Sequence, residues 1–172
     1  MYGVYKEQMD VLYESDAKLR RNFKNSVFAA LAINFSNRVD SDGHTDDGNR
    51  PDGLCAITPS GKFNHRRSGH LVLWELKLVI EFPRGSTTFI PSAIVTHSTL
   101  PIQQGETRHS MTQYTGGGLF RWIYNGFKSD KDWYAGATKE QLVQRGRDRA
   151  ERWVKGLLLF PKLDVVDNIE SL

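Results

Sequence analysis

The sequence predicts a mainly β domain with flanking helices, a sandwich or small barrel and not a parallel α/β sheet, from three observations. Short apolar or alternating segments, separated by turns containing Gly and Pro, run from about residue 26 to residue 115. Helical periodicity is confined to the two ends of the chain. The stretch Thr107–Tyr114 alternates: an extended backbone puts Arg108, Ser110, Thr112 and Tyr114 on one face and His109, Met111 and Gln113 on the other. The whole of 1–172 reads as one domain, with 1–25 as helical support, 26–115 as the β core and 116–172 as a C-terminal helical extension.

Taken in order, residues 5–23 carry Met9, Leu12, Tyr13 and Leu19 at roughly helical spacing, with Lys and Arg toward the far end, where the helix dipole favours cations. Ser26–Phe35 is rich in Val, Ala, Ile and Phe and predicts a first strand. A polar, Asp-rich loop over 36–53 follows. Leu54–Thr58 predicts a short strand, 59–68 a turn-rich connection, and His70–Phe82 two strands or one bent strand before the turn Pro83-Arg84-Gly85-Ser86.

Phe89–His97 also alternates, setting Phe89, Pro91, Ala93, Val95 and His97 on one face that is apolar until its last residue. His97–Tyr114 then reads as two strands of one barrel wall joined by a turn, so that His97 stands at the barrel mouth. Gly116-Gly117-Gly118 breaks the pattern, and Leu119–Phe127 predicts a short helix or packed loop whose Phe120, Trp122, Tyr124 and Phe127 fill the core. A last helix starts at Thr138, whose spacing to Gln141 makes a capping box. It buries Leu142, Val143, Trp153 and Leu157 and leaves Arg145, Arg147, Arg149, Arg152 and Lys155 solvated.

With 172 residues and an apolar share of 39%, the chain is long enough to bury a core, and disorder is not the expectation. No apolar run reaches the roughly 18 residues of a membrane span, and the N-terminus lacks a charged-then-apolar leader pattern. Cys55 is the only cysteine, so an internal disulfide and a cysteine-rich zinc module are excluded. An intracellular protein, nuclear or cytoplasmic and not secreted, is expected. A net charge of +3 leaves the partner open, although His65, Arg66, Arg67 and the last helix offer phosphate contacts.

The chemistry-bearing residues begin at His44-Thr45-Asp46, whose spacing turns an imidazole and a carboxylate to one side of an extended chain. With His97 from a distant strand they compose a 2-His-1-carboxylate triad, which binds iron(II) and leaves three positions open. Two of these suit a bidentate 2-oxoacid and the third dioxygen. The far carboxylate of 2-oxoglutarate then requires an inward cation, the role Arg108 fits through its planar fork, with Ser110 adding a hydroxyl. Plainer alternatives stand beside each: an Asp-rich turn or calcium loop for His44 and Asp46, a core histidine for His97, an ion pair with Glu106 for Arg108 and a core ring for Tyr114. The EF-hand pattern fails, because His44 takes its third acidic position and the following glycine is missing.

Cys55-Ala56-Ile57-Thr58, Gly69-His70-Leu71-Val72-Leu73-Trp74-Glu75-Leu76, Ile90-Pro91-Ser92-Ala93-Ile94, and Gly105-Glu106-Thr107-Arg108 leading into Gln113-Tyr114-Thr115 carry a resemblance. From about Leu19 to Trp122 the chain resembles the fungal, transposon-associated branch of the TET/JBP-like iron(II)/2-oxoglutarate dioxygenases. The resemblance implies a double-stranded β-helix (jelly-roll) core and oxidation of the methyl group of a 5-methylpyrimidine, 5-methylcytosine or thymine, in DNA or RNA, with the base flipped from the stack. It implies Fe(II), 2-oxoglutarate and O2 as cofactor and co-substrates, with His44, Asp46 and His97 as metal ligands and Arg108 and Ser110 holding 2-oxoglutarate. Asn49 matches the asparagine of a His-x-Asp-x-x-Asn motif that touches the base, and Tyr114 a base-stacking tyrosine. The chain departs from TET enzymes at Gly116, where they carry a histidine, and in lacking their cysteine-rich zinc region. The rival expectations are a hydroxylase of protein or small molecules using the same triad, and a jelly-roll binding module without turnover.

Overall fold

The computed structural model describes residues 1–160; the remainder of the expected extension, 161–172, lies outside the described residues. Helix α1 (Tyr2–Ser15) precedes eight strands: β1 (Ala30–Asn34), β2 (Ser41–His44), β3 (Cys55–Lys62), β4 (Leu71–Leu73), β5 (Leu78–Ile80), β6 (Thr88–Ile90), β7 (His97–Thr99) and β8 (Thr107–Tyr114). Helices α2 (Gly117–Tyr124), α3 (Asp130–Gly136) and α4 (Lys139–Leu157) follow.

The strands form two four-stranded sheets, ordered β1-β8-β3-β6 and β2-β7-β4-β5, and every pairing is antiparallel. Successive strands change sheet at every connection except the β4–β5 hairpin, which is the winding of a jelly roll. The fold is therefore a double-stranded β-helix with flanking helices. Between the sheets lie Cys55, Leu71, Leu73, Phe82, Ile90 and Val95, with Ile57, Ile80 and Tyr114 packed against them. A second cluster, Tyr5, Met9, Leu12 and Phe120, seats α1 on α2. Burial of each such large side chain contributes about 1.5–3 kcal/mol, which is how a short amphipathic helix becomes stable here.

The structure corrects several of the expected elements. His97–Tyr114 is not a hairpin in one wall: β7 pairs with β2 and β4, β8 with β1 and β3, and the connection between them crosses from one sheet to the other. The two expected faces still meet, because both look into the space between the sheets. Phe89–His97 is not one strand, since the Pro91 carbonyl accepts from Ile94 and Val95 in a turn that separates β6 from β7 and leaves Phe89 exposed. The polar loop over 36–53 contains β2, a strand without an apolar side chain that is held by its ladder to β7. The first helix ends at Ser15 and not near residue 23, because the Asp16 carboxylate accepts from the Lys18 amide and turns the chain. Leu19 is left exposed.

Helix α4 is rotated relative to expectation. Its capping box between Thr138 and Gln141 is formed, but Leu142, Val143, Trp153 and Leu157 are exposed, by 56% at Val143 and 58% at Trp153. Arg145 is instead half-buried, its guanidinium 4.1 Å from the Trp133 ring centroid and bonded to Asn125 and Asp130. The aromatic rings of α3 and a shared carboxylate thus capture Arg145, which periodicity alone assigned to solvent, while Arg147, Arg149, Arg152 and Lys155 are exposed as expected. Trp122 and Tyr124 of α2 are likewise exposed, while Phe120 is buried against Tyr5 as expected of a core ring.

Gly53, just before β3, lies against the buried Tyr5 ring, and a Cβ there would collide with the tyrosine hydroxyl. We expect Gly53→Ala to destabilise the fold by about 1–3 kcal/mol through overpacking. Gly118→Ala, on α2 with nothing near its Cβ position, is expected to be neutral or stabilising by up to about 1 kcal/mol. Urea-unfolding midpoints of the two variants decide this; equal midpoints would refute the interlock.

Candidate metal centre

The register of β7 assembles the first part of the site. His97 pairs on one side with His44 of β2 and on the other with Leu73 of β4, so the three side chains share the inner face. His97 and Leu73 are buried, and the His44 and His97 rings lie 4.4 Å apart. Past the end of β2 the chain turns, and the Asp46 amide donates to the Ser92 carbonyl at 2.8 Å, which brings the carboxylate to the same place. Asp46 Oδ1 is 3.8 Å from His44 Nε2.

One nitrogen or oxygen from each of His44, Asp46 and His97 lies within 4.8 Å of the others. Three atoms so placed have a common point within about 2.8 Å of each, close to metal–ligand lengths of about 2 Å. Both imidazoles are oriented by backbone: Nδ1 of His44 meets the Asp42 carbonyl at 2.8 Å and Nδ1 of His97 the Val95 carbonyl at 3.0 Å. A carbonyl only accepts, so each Nδ1 carries the proton and each Nε2 presents its lone pair. That is the arrangement found behind metal-bound histidines, and the donor set suits iron(II). The calcium-loop alternative does not fit two imidazole donors.

Arg108 of β8, on the opposite sheet, is 1% exposed. Its Nη1 donates to the Val39 carbonyl at 2.8 Å, while Nε and Nη2 have no hydrogen-bond partner among the described residues. Burial pushes its acidity toward easier proton loss, and the Asp40 charge opposes that. The rings of Phe63 and Phe82 stand 5.9 Å from the guanidinium carbon. Gly69, at φ +66°, leaves the room in which a Cβ would press on Arg108 Cδ.

The ion-pair alternative for Arg108 fails, because Glu106 is committed elsewhere. Its carboxylate accepts from the Ser68 hydroxyl and from the Asn64 and Gln103 amides, and these bonds hold it below the usual carboxylate range. A guanidinium with two free, parallel-capable donors in a buried space is built to receive a carboxylate. Ser110, two residues along the same face, is buried and accepts from Asn34, leaving its own proton to donate.

Asn49 lies beside Asp46, its amide nitrogen 3.3 Å from Asp46 Oδ2 and 3.1 Å from Ser92 Oγ. Tyr114 ends β8 and packs on the inter-sheet cluster. Ser92 and the rings of Phe63 and Phe82 had no side-chain signal in the sequence: a serine after a proline, a phenylalanine in a polar turn and one at the end of an apolar run are common.

No family model matches the sequence, and no curated protein matches it. Among solved structures, the chain is similar to NgTET1 in complex with 5mC DNA, at 16% identity and a TM-score of 0.48, over 60% of this chain and 40% of that one. It is also similar to the viral collagen prolyl hydroxylase vCPH from Paramecium Bursaria Chlorella virus-1 in its 2OG complex, at 13% identity and a TM-score of 0.34, over 62% and 68% of the two chains. The fold assignment rests on the strand order, and the chemistry on the side chains described above.

A buried cation with two unmet donors destabilises the protein that holds it. Arg108→Met, similar in length and without charge, is therefore expected to stabilise the ligand-free protein by about 1–3 kcal/mol. A lower unfolding midpoint for the variant would show that the bond to Val39 outweighs the desolvation.

Proposed function

We propose that the chain is an Fe(II)/2-oxoglutarate-dependent dioxygenase that oxidises the methyl group of a 5-methylpyrimidine in nucleic acid. One observation carries the class: a His-Asp-His set on one wall and, on the wall facing it, a buried arginine with two nitrogens unpartnered among the described residues. Bound iron(II), with 2-oxoglutarate and O2, would supply an oxidation that no side chain provides. His44, Asp46 and His97 would hold the metal and leave positions for the co-substrates. Arg108 binds and orients the far carboxylate of 2-oxoglutarate, and the Ser110 hydroxyl donates to the same group. The apolar cluster of Leu71, Leu73, Phe82 and Ile90 keeps water from the interior those groups share.

The substrate half of the proposal rests on the sequence resemblance together with Asn49 and Tyr114. Both amide protons of Asn49 face acceptors on Asp46 and Ser92, so it offers a base only its carbonyl oxygen. At position 4 of a pyrimidine that oxygen suits the amine of cytosine and not the carbonyl of thymine, which favours 5-methylcytosine. Tyr114, partly buried on the core, would supply the ring on which the flipped base stacks. Exposed Arg66 and Arg67 before β4, and Arg147, Arg149, Arg152 and Lys155 on α4, are available to backbone phosphates inside a cell.

The test starts with anaerobic thermal melting of chelator-stripped protein with iron(II) and 2-oxoglutarate. Wild type is expected to melt higher, by roughly 2.7 kcal/mol of added stability at a hundredfold excess over Kd. Asp46→Ala should lose the response, and Arg108→Ala should raise the Kd for 2-oxoglutarate about 10- to 100-fold. With O2 admitted, 5-methylcytosine oligonucleotides should stimulate succinate release and lose their methyl signal by mass spectrometry. Stimulation by peptides or small molecules alone would replace the substrate, and no melting response would leave a binding module.

A further inference from the structure

A carboxylate ligand has two oxygens, and a site that must keep three positions open can use only one of them. Something has to occupy the other. In this chain Asp46 Oδ2 receives the Asn49 amide at 3.3 Å, while Oδ1 faces His44 Nε2. Only the NH2 end of the amide can face a carboxylate, so the orientation of Asn49 follows from chemistry. The second amide proton goes to Ser92 Oγ at 3.1 Å, and Ser92 is 1% exposed.

Ser92 acts on the same residue a second time. Its carbonyl accepts the Asp46 amide at 2.8 Å, and the Asp46 carbonyl in turn accepts the Asn49 amide at 2.8 Å. The loop is tied further by Gly117, whose amide donates to Gly48. Behind Ser92 lies the fully buried thiol of Cys55, pushed up to about 11 by burial and hence a neutral partner.

We propose that Asn49 and Ser92 are positioning residues that make Asp46 a one-oxygen metal ligand, Asn49 capping Oδ2 and Ser92 fixing Asn49. The inference rests on the metal site proposed above and assigns Asn49 a role toward the metal beside any contact with substrate. Ser92 acts only through Asn49 and the backbone of Asp46; the serine carbonyl is untouched by substitution of its side chain. The amide and hydroxyl therefore form a single relay whose members are not independent.

Cobalt(II) titration of the metal-stripped full chain tests this, followed by calorimetry and by the visible spectrum, whose intensity reports coordination number. Asn49→Ala is expected to weaken cobalt binding about 10- to 100-fold and to change the spectrum, as loss of a ligand's outer partner does. Ser92→Ala should shift both in the same direction by less, and adding it to Asn49→Ala should have no further effect. Metal-free melting of each variant separates this from loss of folding, because a structural role alone would not move the spectrum of the fraction that binds. Wild-type affinity and spectrum in Asn49→Ala would overturn the inference while leaving the metal site standing, and so would additive losses in the double variant for the relay. A wild type that takes up no cobalt would remove the metal site and the inference together.

Discussion

The burial of the Arg108 guanidinium is the constraint around which the barrel is built. A cation taken from water with one hydrogen bond made and two unmade is unfavourable, and it persists only if its surroundings leave it nowhere else to go. β8 is central in its sheet, and at Arg108 its backbone is paired with Gly61 of β3 on one side and bonded to Asn37 and Val39 on the other, so the backbone that carries Arg108 cannot yield. Val39 anchors one nitrogen, Phe63 and Phe82 bound the sides, and Gly69 clears the path of the aliphatic stem. Glu106, two residues away, is tied to the 64–68 turn and cannot swing in to neutralise the charge.

The opposite wall follows a different logic, in which register does what packing does for Arg108. β2 and β7 are four and three residues long, and His44 and His97 sit opposite each other in their ladder. A slip of one residue would turn one imidazole outward and dissolve the cluster. Two bonds resist such a slip from outside the ladder: the Ser41 hydroxyl accepts the Thr99 amide, and the Ser92 carbonyl accepts the Asp46 amide. The Glu75 carboxylate grips the amide and hydroxyl of Thr96, next to His97, which holds that carboxylate below its ordinary range. The three donor side chains are thus placed by polar bonds at the rim, and the apolar core is left to hold the sheets together.

This division explains what the sequence made legible. The alternation along β8 and the Thr138 cap are local signals, and each matches the structure because a long strand and a helix end are locally determined, whereas His44 and Asp46 are brought together by β7 and by the Ser92 carbonyl and not by an extended segment. β2 was not legible, since Ser-Asp-Gly-His carries no apolar residue and becomes a strand only through β7. The break at Pro91 was hidden by alternation that continues through the turn. On α4 four of the five basic residues are exposed as expected, but the apolar stripe is exposed too, because the helix docks on α3 through the cation–aromatic contacts of Arg145. Arg108 was legible as an inward cation, whereas its unmet donors depend on Val39 and Glu106, which only the three-dimensional arrangement relates to it.

Polar residues at the interior of a sandwich break the ordinary consistency between pattern and burial, and that inconsistency is itself informative. If Arg108 served stability, its donors would be satisfied by Glu106, which lies within two residues and is instead used to brace a turn. If His97 were a core histidine satisfied by its neighbours, its bond to the Val95 carbonyl would suffice, and nothing would require a second imidazole and a carboxylate beside it. Each feature alone admits a structural account. Together they leave a buried cation on one sheet and, on the other, a set of lone pairs that runs from buried His97 out to exposed His44, so that a ligand of opposite charge relieves each. In the function proposed above, a metal ion and a dicarboxylate would supply both signs at once.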